Sequence, residues 1–483
     1  MSQIHRRNFL GALAASSCVG AVSGVEDAAA AEPDPADPGD VTGALARYIV
    51  SARAEDLPAA VRKEAKRTLL NWAGCAIGGS RHETTGIAIS ALAPFAGPAQ
   101  AGILGRHERL DILNAVLING ISSHIFDYDD THLKTIIHPA GPVASAILAL
   151  SEYQHLSGRD FLNALVIGVE TECRIGNAVY PAHYDVGWHI TGTAGVFGAA
   201  AATGRLLGLN EQQMRWALGI AATQPVGLRE MFGSMTKSFH PGRAAQNGMT
   251  AALLAARNFT SSDHALEAKR GWANVLSTSR KYDEITGQLG SRYEILLNTY
   301  KPFACGVVMH PAIDGCVQLR NENKLSASQI DQVELRVHPL VLELTGKKAP
   351  RTGLDGKFSI YYAAAVAIVA GAAGERQFSD SMVRNPEIAA LSERVSTIVD
   401  PSIREDQVRI RIVLHDGRKL DKFVEHVIGS VENPMSDAAL EAKFTDLASG
   451  ILPPAQIRRV MEMCWSIDYL PAAGALAKAA AAS

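Results

Sequence analysis

The segment "HIFDYDDTHLKTIIHP", residues 124–139, carries three histidines and three aspartates in sixteen positions. Imidazoles and carboxylates at that density serve as metal ligands or as acid–base groups. If residues 122–133 are helical, His124, Asp127, Tyr128 and Thr131 share one face, and Asp129 and Asp130 point elsewhere. A metal reading takes Asp127, Asp130 and one or more of His132, His138 and His189 as ligands of a divalent ion in a lyase or hydrolase.

Three other segments bring cations and further histidines. "YDVGWHITGTAGVFG" sets His189 just ahead of a small-residue helix that opens with Thr191, Gly192 and Thr193, and a helix start attracts carboxylates. "GSMTKSFHPGRAAQNG" holds Lys237, His240 and Arg243 before an apolar helix that begins near Ala244. "NTYKPFACGVVMHPAIDG" holds Lys301, Cys305, His310 and Asp314 where the pattern of the chain changes. Lysine and arginine hold carboxylates far better than they hold metals. The set therefore suits a small polyanion worked on by histidine acid–base chemistry. Taken singly, His138, His240 and His310 each precede a proline and equally fit turns, and Lys237 or Lys301 fits a solvated surface. Spacing alone leaves the choice open.

The elements that must position these residues fall into two kinds. From about residue 40 to 300 apolar residues recur at three- and four-residue steps, as in Val61, Ala65, Leu69, Trp72, Ala73, Ala76 and Ile77. Residues 142–156 and 193–207 read as further helices, the second buried on nearly every side. Near residue 330 the period becomes two: Val333, Leu335 and Val337, then Val408, Ile410, Ile412 and Leu414 before an Asp416-Gly417 turn. That alternation predicts strands and a β-hairpin, with a buried helix over 356–371 between them. Helical spacing returns after residue 433, and the alanine-rich tail after Pro471 reads as frayed. The chain is thus mainly α, with a helical domain over 38–298, a smaller α+β domain over 299–430, and a segment over 431–483 that rejoins the first.

Composition narrows the class further. A formal charge of −3 gives no basic footprint for nucleic acid. At the N-terminus, Arg6-Arg7 precedes a short apolar run and the small residues Ala28–Ala31, the order of a twin-arginine export signal over residues 1–31. Export to the periplasm or beyond is the expectation, with no membrane span afterwards. Cys75, Cys173, Cys305, Cys316 and Cys464 then remain, an odd set without Cys-x-x-Cys, which reads as buried thiols.

The blocks "FDYDDTHLKTIIHP", "GWHITGTAGVFGAAAATGRLLGL", "GSMTKSFHPGRAAQNGMTAALLA", "YKPFACGVVMHPAID", "GKFSIYYAAAVAI" and "ENPMSDAALEAKF" resemble, in order, those of the MmgE/PrpD family. The resemblance spans roughly residues 40–470. It implies a helical domain with an α+β lid, a homodimer, and catalysis on a small di- or tricarboxylate without metal or organic cofactor. Matched onto the family's motifs, Asp127, His138, His189, Lys237 and Lys301 are the expected catalytic residues. Thr131, Arg243 and Tyr362 are the expected substrate contacts. Family members include dehydratases, decarboxylases and an epimerase. The lid block has no histidine near Gly306, where the decarboxylases are expected to carry one, so the resemblance points to a lyase of the 2-methylcitrate dehydratase kind.

Overall fold

The computed structural model describes residues 39–482; the twin-arginine segment lies outside them. The helices that position the candidate residues are α1 (Ala59–Gly79), α2 (Ile112–His124), α3 (Ala140–Gln154), α4 (Gly158–Val179), α5 (Ile190–Leu206) and α6 (Thr236–Ala255). Helix α6 lies between α2 and α5. A Cβ on Gly242 would sit 2.4 Å from the Leu117 carbonyl oxygen, and one on Gly248 would sit 2.5 Å from that of Val196. Only glycine lets the three backbones approach so closely. Contrary to the sequence expectation, α6 begins at Thr236 rather than near Ala244 and runs through Pro241. A proline there costs about 3 kcal/mol of helix stability. Tight packing of the buried Pro241 ring over Gly141 of α3 offsets that cost, so His240 and Lys237 ride on the helix and not on a turn.

Residues 122–133 do not form one helix. Helix α2 ends at His124, Asp127 adopts φ 52°, and Asp130–His132 forms strand β1. The left-handed backbone, which aspartate tolerates better than most residues, stops the helix within a turn. Strand β1 pairs antiparallel with β2 (Asn298–Tyr300), Asp130 opposite Tyr300 and Thr131 opposite Thr299. That short ladder brings the aspartate segment beside Lys301, the next residue after β2.

The second region is a four-stranded sheet of β3 (Ile330–Val337), β4 (Val395–Val399), β5 (Val408–Leu414) and β6 (Lys419–Val424), in the order β4-β3-β5-β6. Only the β3–β4 pair is parallel. Along β5 the residues Val408, Ile410, Ile412 and Leu414 are buried, and Gly417 at φ 86° turns the chain into β6. Helices α7 (His310–Asn323) and α8 (Ile360–Ala370) pack together, α7 also lying on β5 and β6.

Helix α9 (Asp437–Ala448) returns to pack on α1, and Trp72, Phe444, Val460 and Leu476 share one apolar core. The tail after Pro471 is ordered, against expectation. Leu476 and Ala480 are buried, and the Gln456 side chain donates to the Ala479 and Ala481 carbonyls. The five cysteines are free and buried. Among the described residues no helix is long and apolar enough to cross a membrane.

Candidate active site

A cleft of about 880 Å³ opens between the helical region and the sheet region. Asp127, Thr131, His138, His189, Lys237 and Lys301 all line it, brought from four separated segments.

Asp127 is the hub. Its Oδ1 accepts from Lys237 Nζ at 2.6 Å and from Lys301 Nζ at 2.8 Å. The loop that presents it is held by lysines at three successive carbonyls. Lys357 donates to Phe126 O at 2.6 Å, Lys301 to Asp127 O at 2.9 Å, and Lys443 to Tyr128 O at 2.6 Å. Three buried lysines thereby satisfy carbonyls that the broken helix leaves without partners. Burial alone would raise the Asp127 carboxyl, but Lys237 and Lys301 outweigh it and hold it well below the usual carboxylate range. Burial opposes the charge on Lys301, yet Asp127 and Asp129 hold its pKa above the ordinary value. Burial lowers Lys237, with Asp127 resisting.

Beside this charged group stand buried imidazoles. His138 approaches the Asp130 carbonyl through Nδ1 at 2.8 Å, and its backbone N–H donates to Thr191 Oγ1 at 3.1 Å. A carbonyl only accepts, so Nδ1 of His138 carries the proton and Nε2 keeps its lone pair. His189 is set at the start of α5 by its N–H to Gly227 O at 3.0 Å, and its Nδ1 lies 2.9 Å from Nδ1 of His240. His124 Nδ1 lies 2.6 Å from the Asp129 carboxylate. The His138 ring is centred 4.8 Å from His124 and 6.3 Å from His189. Burial drives His138 down to about 3, Asp129 resisting and Lys301 adding to the fall. Burial, then His124 and Lys237, put His189 well below the ordinary value. Both are neutral near pH 7, the form that accepts a proton.

Two predicted contacts lie elsewhere. Arg243 turns to Gln246 and stacks over Phe239, on the side of α6 away from the cleft. Its spacing from Lys237 is six residues, which puts the two on different faces of a helix. Tyr362 is 1% exposed, donates to Gln377 O, and packs on Phe378 inside the sheet region. Neither lines the cleft.

The aspartate-centred metal reading does not assemble. Asp127 is taken by lysines, and Asp130 accepts from Asn298 Nδ2 at 2.8 Å and Ala140 N at 3.1 Å. His132 is fixed between Thr135 and Glu294. Several site residues had no distinct sequence signal. Lys357 and Lys443 look like ordinary lysines, and Asp129 is one of three aspartates in a row of four. Arg229 and Phe232 also line the cleft, Phe232 edge-on to His189 at 5.1 Å. His310 reaches the same wall as Gly306, its Nε2 3.2 Å from Cys305 O.

The sequence profile of the MmgE/PrpD N-terminal domain matches residues 43–285, and that of the MmgE/PrpD C-terminal domain matches residues 303–467. Cis-aconitate decarboxylase of Aspergillus terreus is 27% identical over 89% of this chain and 94% of its own length. Cis-aconitate decarboxylase of Homo sapiens is 24% identical over 89% of this chain and 92% of its own. The mitochondrial 2-methylcitrate dehydratase of Yarrowia lipolytica is 22% identical over 82% of each.

Proposed function

Because this chain belongs to the MmgE/PrpD family, we propose that it is a lyase that removes a proton beside a carboxylate of a small di- or tricarboxylate and expels water from the adjacent carbon. The observation that carries this reading is the Asp127 carboxylate shared by Lys237 and Lys301, next to two buried neutral imidazoles in one cleft. A proton beside a carboxylate is weakly acidic, so its removal needs fixed positive charge where the enediolate develops. Lys237 and Lys301 supply that charge without a metal or organic cofactor, and Asp127 holds their ammonium groups in place. Nε2 of His138 takes the proton as base. His189, a second imidazole on the wall, gives the departing hydroxyl a proton that it has first taken up at Nε2. The substrate's own carboxylates raise the imidazole pKa when they bind, which lets His189 enter the step protonated. Thr131 orients His138, its Oγ1 3.3 Å from Nδ1.

Decarboxylation is the second reading, favoured by the cis-aconitate decarboxylases that match at 24–27% identity across nearly their whole length. Gly306 offers no imidazole to that step, although His310 stands on the same wall. The full chain should be incubated in deuterated water with 2-methylcitrate, citrate, cis-aconitate, malate and tartrate, with and without EDTA, and followed by proton NMR. An unsaturated product from a hydroxy acid, unchanged by EDTA and lost in His189→Ala, supports the dehydratase. Itaconate from cis-aconitate selects decarboxylation, and deuterium exchange without net product selects epimerisation. Activity abolished by EDTA sinks the cofactor-free reading. The family also leads us to expect a homodimer, which light scattering checks.

A further inference from the structure

The strongest unassigned feature is how three imidazoles converge behind the cleft. One ring nitrogen from each of His124, His138 and His189 lies within 4.8 Å of the other two, and all three residues are at most 5% exposed. Each ring is anchored through Nδ1. Nδ1 of His124 meets the Asp129 carboxylate, Nδ1 of His138 the Asp130 carbonyl, and Nδ1 of His189 meets His240. That leaves Nε2 on each ring, and Nε2 of His124 is buried with no hydrogen-bond partner. A buried imidazole nitrogen without a partner is unfavourable, and a bound cation would satisfy it.

Rings whose outer nitrogens are tied to a carboxylate, a carbonyl and another imidazole have the surroundings found behind metal-bound histidines. Zinc–nitrogen bonds of about 2.1 Å place tetrahedral ligand atoms about 3.4 Å apart, so the rings need to draw in by about 1.4 Å at most. The fourth position faces the cleft, since His138 and His189 line it. Asp127 is shared by the two nearby ammonium groups, and the Asp129 carboxylate behind His124 supplies a second negative charge beside the ion. Three nitrogens and no oxygen select zinc, cobalt, nickel or copper over magnesium or calcium.

We propose that His124, His138 and His189 form a binding site for a divalent d-block cation, and that its occupancy excludes the proton chemistry. The second half rests on the function proposed above, because the ion takes the Nε2 lone pairs that the acid–base steps use.

The site is tested on the full chain, dialysed against EDTA and titrated with Co2+. The expected result is one set of visible d–d bands of tetrahedral cobalt, saturating at one ion per chain and displaced by Zn2+. His124→Asn keeps a donor for Asp129 but removes the free nitrogen, and should weaken Co2+ binding at least a hundredfold. His107→Ala, at a histidine whose side chain is 72% exposed, should bind as the parent does. Circular dichroism shows whether His124→Asn is folded, and His138→Gln gives a second removal of one ligand. Absent bands, or bands that persist in both variants, overturn the site whatever the substrate proves to be. With a carboxylate that is turned over, Zn2+ should inhibit and EDTA restore the rate. A rate raised by Zn2+ overturns the exclusion and leaves the cobalt result to stand alone.

Discussion

His189 and His240 face each other nitrogen to nitrogen, Nδ1 to Nδ1 at 2.9 Å, with both residues at most 3% exposed. One of the two nitrogens must carry the proton and the other must not. If His189 donates, its Nε2 is left with a lone pair towards the cleft, and His240 holds its proton on Nε2. His240 is thus a positioning residue that chooses the tautomer of its neighbour. Replacing it with alanine should lower kcat about ten- to a hundredfold, the equivalent of about 1–3 kcal/mol, with KM little changed. Steady-state kinetics on the substrate identified by NMR checks this, and His240→Gln should restore part of the rate.

Asp127 keeps Lys237 charged. Burial already lowers the Lys237 pKa, and the carboxylate resists that fall. Asp127→Asn removes the resistance, so Lys237 loses its proton at lower pH than in the parent. The variant's kcat/KM should decline on the alkaline side at a pH where the parent's is still level. Lys301→Met should cost about 100- to 1000-fold in kcat, the scale of a lost transition-state cation contact. A pH–rate profile of parent and variants, with equal alkaline limbs, would refute the coupling.

Acid should destabilise the fold before it protonates the site. His138 and His310 are both driven down to about 3 by burial, against an ordinary value of 6.5. The folded chain therefore binds fewer protons than the unfolded chain between pH 6.5 and 3. Their contribution is fully present above pH 6.5 and is lost as pH falls towards 3, by up to about 1.4 kcal/mol per pH unit for each histidine. Urea midpoints measured at pH 7 and pH 5 should show the loss. An unchanged midpoint would mean that the histidines are already charged in the fold.

Lys443 ties α9 to the active-site loop. Its Nζ donates to Asn71 Oδ1 at 2.8 Å, Tyr128 O at 2.6 Å and Lys301 O at 2.8 Å. Burial brings it down to about 8, so it remains mostly charged near neutral pH. Lys443→Met leaves three buried acceptors short of a donor and should destabilise the protein by about 2–4 kcal/mol. Denaturant unfolding gives the number, and the residual activity of folded variant reports how far the Asp127 loop has moved.

Gly242→Ala should act at a distance on the same site. The added methyl meets the Leu117 carbonyl at 2.4 Å and Ile121 N at 3.0 Å, both backbone atoms that cannot swing away. Separation of α6 from α2 should cost about 1–3 kcal/mol, shift Lys237 off the cleft wall and draw His240 away from His189. Gly233→Ala is no control, because Gly233 has φ 83°; Gly86→Ala, with open space around it, is one. Thermal unfolding of the two variants separates the effects.

The residue types gathered in the cleft were legible in part from the sequence. Asp127, His138, His189, Lys237 and Lys301 share their residue types with His240, Arg243 and His310; the match to the family's motifs singled out the five and Thr131, and these six meet in the cleft. The change from a 3.6 to a 2.0 period near residue 330 likewise marked the sheet, since alternation reflects one buried face and needs no knowledge of the partner strand. Conformations and partners set by packing were not legible. The helix pattern of 122–133 gave way to the left-handed Asp127 because Lys357, Lys301 and Lys443, far apart in sequence, satisfy the freed carbonyls. Pro241 reads locally as a helix breaker, yet glycines on its neighbours hold α6 together around it. Arg243 and Tyr362 carry suitable chemistry in the sequence, but helix phase turns one away and core packing encloses the other. Residue type and period thus determined which groups the protein has to work with. Only the tertiary structure decided which of them meet, because contacts between distant segments overrule local preference wherever burial leaves polar groups to be satisfied.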